Sequence, residues 1–200
     1  MESGIVELSK GGIMFIVFSG PSGSGKNTII NELQKRRKNF YVLTKSTGTT
    51  RAPRESDKEN DTYVYMTKEE FEQGIKDGIF YEYENVHGNY YGTFLKRLEF
   101  AAESEEEYVR DIDVNGNASL KKFFAGKCKM LSVFIDVPQD VLRKRLAKRG
   151  DDPADIEKRI SRGAYERSRK DEYDLVVDNI DLETTVQTIS DFIDKAKATK

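Results

Sequence analysis

Ile13, Met14, Phe15, Ile16, Val17 and Phe18 form an unbroken apolar run. It leads through Ser19 into Gly20, Pro21, Ser22, Gly23, Ser24, Gly25 and Lys26. No other stretch limits the possible folds as tightly. An apolar run of this kind is a strand buried on both faces, as found in parallel sheets covered by helices. Beyond the loop, Ile29, Ile30 and Leu33 fall on one helical face. A glycine loop between a buried strand and a helix is built for phosphate. Glycines permit positive φ and close backbone approach, and the free N–H groups of the helix start form a concave anion site. Lys26 adds a positive charge that reaches the outer phosphates. Asn27 stands where the G-x-x-x-x-G-K-[ST] pattern has its hydroxyl, with Thr28 one position later. The loop alone fits an ATPase, a GTPase or a small-molecule kinase equally well.

The rest of the chain keeps the strand–helix rhythm. Residues 40–43, 131–137 and 175–177 read as buried strands, and 108–113 as a weaker one. Helical spacing lies between and after them, at Val141, Leu142, Arg145 and Leu146 and again at Leu182, Val186, Ile189, Ile193 and Ala196. Alternation of this kind predicts an α/β fold with a parallel core sheet of five strands and helices on both faces. Two segments interrupt it. Residues 47–93 mix alternating strands with a short helix near 69–78, which predicts an inserted mixed α/β subdomain. Residues 143–169 are dense in charge around a turn at 150–153, which predicts a mobile helical excursion. The acidic run 103–107 reads as a solvated helix face.

Composition narrows the function. Thirty-three Lys and Arg against 35 Asp and Glu leave a net charge of −2, which excludes a strongly basic nucleic-acid binder. One cysteine, Cys128, and one histidine, His87, cannot build an internal disulfide or a Cys/His metal site. No apolar run approaches a membrane span, and Glu2 and Glu7 sit where a signal peptide carries positive charge. The expectation is a cytoplasmic protein with no membrane or nucleic-acid partner. Residues 1–10 read equally as a loose tail or a strand-capping extension.

A second anion site follows the first. Arg51 and Arg54 lie three apart in a segment fixed by Pro53, with the hydroxyls of Thr47, Thr49 and Thr50 close in sequence. Arginine forks bind phosphate oxygens in pairs. From here the chain resembles the guanylate kinase family over residues 13–192. The motifs that carry the likeness are the phosphate loop, residues 47–54, Tyr63, residues 80–82, residues 88–93 and residues 111–116.

The resemblance implies a P-loop nucleoside monophosphate kinase fold, with a core of about 12–46, 94–142 and 170–200. It implies a GMP-binding subdomain at about 47–93 and a lid at about 143–169. It implies ATP as phosphoryl donor, Mg²⁺, GMP and also dGMP as acceptor, and a monomer or weak homo-oligomer. Thr47, Arg51, Arg54, Tyr63 and Tyr91 would hold the GMP phosphate, and Glu82, Thr93 and Asp113 would read the guanine. The carboxylates suit its N1–H and 2-amino donors, and the Thr93 hydroxyl suits O6. Arg149 and Arg159 would be lid arginines that act with Lys26, Arg51 and Arg54 on the transferring group. Arg145 and Asn179 would lie at the ATP side, Asn179 near the adenine. Tyr90 reads as packing, His87 as a surface residue, and Asp111 and Asp113 also read as strand-end caps. The chain departs from the family at Asn27, at Thr47 in place of Ser, at Asn115 in place of Gln, and at Arg110, where the family strand is apolar. Gly48 is expected to loosen the subdomain hinge, and the turn between Arg149 and Arg159 is one residue short. The competing reading is a non-catalytic guanylate-kinase-like scaffold that binds a phosphopeptide through the same arginines.

Overall fold

A computed structural model describes residues 14–53, 61–86 and 88–199. The expectations for residues 1–10, Arg54 and His87 lie outside the described residues. The apolar run becomes β1 (Met14–Ser19), buried along its whole length. Side chains alternate across a strand, so its two faces meet different helices. Met14, Ile16 and Phe18 pack with Ile29, Ile30 and Leu33 of α1 (Lys26–Arg36) and with Val186, Ile189 and Ile193 of α7 (Leu182–Ala198). Phe15 and Val17 pack with Leu98 and Ala101 of α3 (Leu95–Glu103) and with Leu120 and Phe124 of α4 (Val114–Phe124).

The core sheet has five parallel strands in the order β2 (Phe40–Val42), β7 (Glu107–Asp111), β1, β8 (Lys129–Asp136), β9 (Leu175–Asp178). The chain leaves β1 on one side and later returns to build the other. That makes the carboxyl end of β1 a topological switch point, where open α/β sheets bind ligands. The weakest strand in the sequence, β7, is β1's direct neighbour. Its polar carboxyl end hides its apolar character, because that end opens into this crevice.

A second sheet takes the order β4 (Tyr63–Tyr65), β3 (Thr47–Thr49), β6 (Asn89–Phe94), β5 (Phe80–Val86). β3 runs parallel to β4 and antiparallel to β6. Its core is a stack of rings. Phe71, from α2 (Lys68–Lys76), lies 4.3 Å from Phe80 and 5.1 Å from Tyr90, and Phe80 lies 5.1 Å from Phe94. Gly48 has a different role from the one expected. It is buried in β3, and a Cβ there would come within 2.9 Å of the Phe80 ring. It is glycine because aromatic rings fill its side-chain space, not because a hinge bends there.

α5 (Gln139–Arg149) and α6 (Pro153–Ser168) close a small cluster of Val137, Leu142, Leu146, Ile156 and Ile160. The acidic run is corrected. α3 ends at Glu103, and Glu107 opens β7, only 3% exposed, paired with Arg37 at 3.2 Å and with Lys197. Its partners come from distant elements that no local pattern reveals.

Candidate active site

The phosphate loop closes the carboxyl end of β1. Gly20, Gly23 and Gly25 take φ values of 137°, 89° and 96°. A Cβ on Gly20 would lie 2.1 Å from the Ile135 carbonyl oxygen, so β8 leaves no room for a side chain. α1 begins at Lys26 with no side-chain cap and no acidic residue in its first turn. Its N–H groups and dipole are therefore open to an anion. Lys26 folds back over the loop. Its Nζ donates to the carbonyls of Gly20 (2.6 Å) and Pro21 (3.3 Å) and lies 4.0 Å from Asp111 Oδ1.

Two side chains latch the loop from outside. Asn179 Nδ2 donates to the Ser24 carbonyl at 2.8 Å. Arg145 donates to the same carbonyl at 3.3 Å and to the Asn179 carbonyl at 2.9 Å. Asn179 is 4% exposed, and its amide faces the loop backbone.

Two cavities flank Lys26. One, of about 480 Å³, is lined by Gly25, Asn27, Thr28, Arg145, Arg149 and Asn179. The other, of about 610 Å³, is lined by Thr47, Tyr63, Glu82, Tyr91, Thr93 and Asp113. Both volumes suit a small ligand. Ser22, Lys26 and Asp111 line both cavities, so the two share one polar wall.

These six sequence-selected residues of the second cavity come from four strands, β3, β4, β5 and β6, and from the N-cap of α4. Thr93 Oγ1 donates to Glu82 Oε1 at 3.3 Å. Asp113 divides its oxygens. Oδ1 caps α4 through the N–H groups of Asn115 and Gly116, at 3.0 and 2.9 Å, and Oδ2 accepts from Arg162 at 3.4 Å. Asp113 thus caps α4 and also lines the second cavity. Arg51 sits beside this cavity, its guanidinium 5.0 Å from the Tyr63 ring centre. Burial pushes the Tyr63 phenol up, and Arg51 draws it back. Tyr90 stacks on Phe71, as packing.

α5 and α6 bring the arginines. Arg149 makes two bonds to Asp151, at 2.7 and 2.5 Å, and the hydrogen bond from Arg149 holds that carboxyl low. Arg159 contacts Ser22 Oγ at 3.0 Å and Asp151 at 3.0 Å, so it touches the phosphate loop directly. Arg167 ties α6 to the core through Asp136 at 2.6 Å.

Three residues that line the cleft were not selected from the sequence. Asp111 read only as a strand-end cap, yet it lies in the wall shared by both cavities. Its carboxyl is pushed up by surrounding protein mass against the pull of Lys26 and Arg110, although 41% of the side chain still faces the open cleft. The findable signal was an acid ending a strand beside a phosphate loop. Glu166, on α6, faces the second cavity, and burial raises its carboxyl against Lys26 and Arg162. Arg110, noted only as a departure, lies beneath that cavity with its Nη2 donating to Thr47 (2.7 Å) and Thr93 (3.2 Å). Burial pushes its guanidinium down, and the charge of Glu82 opposes this.

Among the described residues no group of three acidic, histidine or cysteine side chains could hold a metal ion. Asn27, Thr28 and Asp111 offer hard oxygen atoms around the first cavity. That donor set fits Mg²⁺, which is bound through phosphate oxygens, water and one or two protein groups rather than by a protein cage.

A parallel sheet, a glycine loop at its switch point and two ligand-sized cavities meeting at one lysine define a P-loop α/β protein with a two-part cleft. The guanylate kinase family model matches residues 13–196. A guanylate kinase of Bacteroides thetaiotaomicron is 38% identical over 90% of this chain and 90% of its own. One of Wolinella succinogenes is 41% identical over 88% of this chain and 80% of its own. The crystal structure of guanylate kinase from Anaplasma phagocytophilum covers 96% of this chain and 89% of that one, with a TM-score of 0.69 and 26% identity. The chain belongs to the guanylate kinase family.

Proposed function

We propose that this protein transfers the γ-phosphoryl group of ATP to GMP, giving ADP and GDP, and that dGMP also serves as acceptor. The observation that carries the reading is the wall of Ser22, Lys26 and Asp111 common to both cavities. A donor on one side and an acceptor on the other would meet at Lys26. Phosphoryl transfer asks the protein mainly for alignment and charge stabilisation. The GMP phosphate is already an anionic nucleophile, so no general base is needed.

Residues 20–28, with Arg145 and Asn179, form the ATP side. Thr47, Arg51, Arg54, Tyr63 and Tyr91 hold the GMP phosphate. Glu82 and Asp113 accept from N1–H and the 2-amino group, with Thr93 beside them. Lys26, Arg51, Arg54, Arg149 and Arg159 surround the transferring group and neutralise its charge. Mg²⁺ would be held near Asn27, Thr28 and Asp111, where it draws charge from the β- and γ-phosphates. The core then comprises about 12–46, 94–142 and 170–200. Residues 47–93 form the GMP-binding part, and 143–169 form a lid whose closure keeps water from ATP.

The protein would act on its small-molecule substrates as a monomer or weak homo-oligomer, and the net charge of −2 supports the absence of a nucleic-acid partner. Among the described residues no helix is long and apolar enough to cross a membrane. A cytoplasmic place of action is supported by the nucleotide substrates and by Cys128, which is free. The scaffold alternative has no observation in its favour, and the intact loop glycines and Lys26 argue against it.

The test is release of ADP from ATP and Mg²⁺ with GMP or AMP as acceptor. Turnover with GMP and at least about 10³-fold less with AMP is expected, because a site built on polar complementarity rejects a mismatched base strongly. A folded protein that binds GMP but turns over neither acceptor would overturn the kinase reading.

A further inference from the structure

Arg110 is the most unusual side chain in the cleft. It is 6% exposed, it lines the second cavity, and it lies on β7 directly before Asp111. A guanidinium carries five N–H donors and no acceptor. Here Nη2 serves the hydroxyls of Thr47 and Thr93, while Nε and Nη1 are buried with no partner among the described residues. Neither atom has open surface, so a ligand's acceptor reaches one only when the guanidinium turns toward the cavity, and the cost of unmatched donors on a buried charge favours that turn.

The neighbours say which acceptor. Glu82 and Asp113 are acceptors and suit the donor edge of guanine. The Thr93 proton is already directed to Glu82, and its oxygen accepts from Arg110. Nothing in that trio is left to donate to the purine's acceptor edge. Arginine is the side chain whose fork matches O6 and N7 of guanine.

We propose that Arg110 is a specificity-determining residue that donates to the acceptor edge of the purine, at O6, while Glu82 and Asp113 take the donor edge. The proposal rests on the GMP reading of the second cavity. It gives that cavity a discrimination that carboxylates alone cannot supply. A carboxylate accepts from the 6-amino group of adenine as readily as from guanine donors. A guanidinium cannot accept at all, so a 6-amino group would leave donor facing donor.

The experiment measures binding of three nucleoside monophosphates to the full-length protein and to Arg110→Met. GMP is the reference. The 6-thio analogue of GMP keeps N1–H and the 2-amino group but replaces O6 by a weakly accepting sulfur. IMP keeps O6 and lacks the 2-amino group. The unsubstituted protein is expected to lose about tenfold or more in affinity from GMP to the thio analogue, and Arg110→Met no more than about twofold. The GMP-to-IMP ratio should be the same in both proteins, since it reads the carboxylates. An undiminished thio penalty in Arg110→Met overturns the proposal and leaves Arg110 a support for Thr47 and Thr93. If Arg110→Met does not fold, Arg110→Lys keeps the charge but loses the fork. Its GMP-over-AMP ratio falls about tenfold or more if Arg110 reads the base and stays constant if it does not. Failure of the unsubstituted protein to bind GMP overturns the GMP reading itself, and this proposal with it.

Discussion

Asn179 holds the phosphate loop by its backbone. Its amide is the closest neighbour a Cβ on Gly25 would meet, at 2.4 Å, and it donates to the Ser24 carbonyl at 2.8 Å. Its carbonyl in turn fixes Arg145. Losing such a bond leaves a carbonyl short of a partner, at a cost of about 1–3 kcal/mol. Part of that cost falls on the loop geometry that the nucleotide needs. Asn179→Ala is expected to raise KM for ATP about tenfold while the Kd for GMP moves less than about twofold, since each 1.4 kcal/mol is about a factor of ten. A residue that read the adenine would penalise ATP more than GTP as donor, whereas a latch on the loop penalises both equally. Steady-state kinetics with both donors decides between them.

At the scale of elements, helix starts differ in whether a side chain closes them. α2, α4, α6 and α7 start with side-chain caps from Thr67, Asp113, Asp152 and Asp181. α1 starts uncapped at the loop. α3 and α5 also start without a side-chain cap, so what sets the α1 start apart is the glycine loop it follows and the cleft it points into. The small sheet is governed by ring packing, and β3 within it carries both Thr47 and Gly48. Gly48→Ala would push a methyl into the rings of Phe80 and Phe94 and the Met66 sulfur, all within 3.0 Å. Overpacking of this kind costs about 1–3 kcal/mol. The expected result is a lower urea midpoint with an unchanged m-value, together with weaker GMP binding. An unchanged midpoint would mean that the sheet opens to admit the methyl, and the packing account of Gly48 would fail.

Over the whole molecule a near-neutral total charge conceals two populations of carboxylates. Asp151, Glu172, Asp181 and Glu183 are held low, by hydrogen bonds from Arg149, from Arg169, from the Thr184 backbone N–H and from Arg36 in turn. Asp111, Glu166 and Glu84 are pushed up, chiefly by burial around the cleft. The two groups act oppositely on folding. A lowered carboxyl contributes stability above its unfolded pKa and loses it as pH falls through the folded value. A raised one binds its proton earlier in the folded chain, so stability rises as pH falls through its folded pKa. Thermal midpoints of the nucleotide-free protein should therefore hold or rise slightly from pH 7 to about 5, then fall below about pH 4. High salt should flatten part of the acid limb, because Glu172 and Glu183 of the low group sit in exposed ion pairs. A midpoint that drops steadily from pH 7 would show that the cleft carboxylates do not carry this load.

Much of this protein was legible in its residues because the deciding interactions are local or periodic. A six-residue apolar run bounded by glycine and proline reads as a strand covered on both faces, and β1 is one. Helical spacing marked α1 and α7, and glycines at 20, 23 and 25 announced backbone that other residues adopt poorly. Motif order marked Thr47, Tyr63, Glu82, Tyr91, Thr93 and Asp113, which all line the second cavity. Tertiary structure decided what depends on partners far along the chain. Glu107 looked like part of a solvated acidic run and is buried between Arg37 and Lys197. Gly48 looked like a hinge and is a space kept for rings. Arg110 and Asp111 looked like a misplaced charge and a strand cap, yet one lines the second cavity and the other the wall between the two. A sequence records which groups a chain carries. Burial and pairing, which set the free energy of a charge, exist only once distant segments have met.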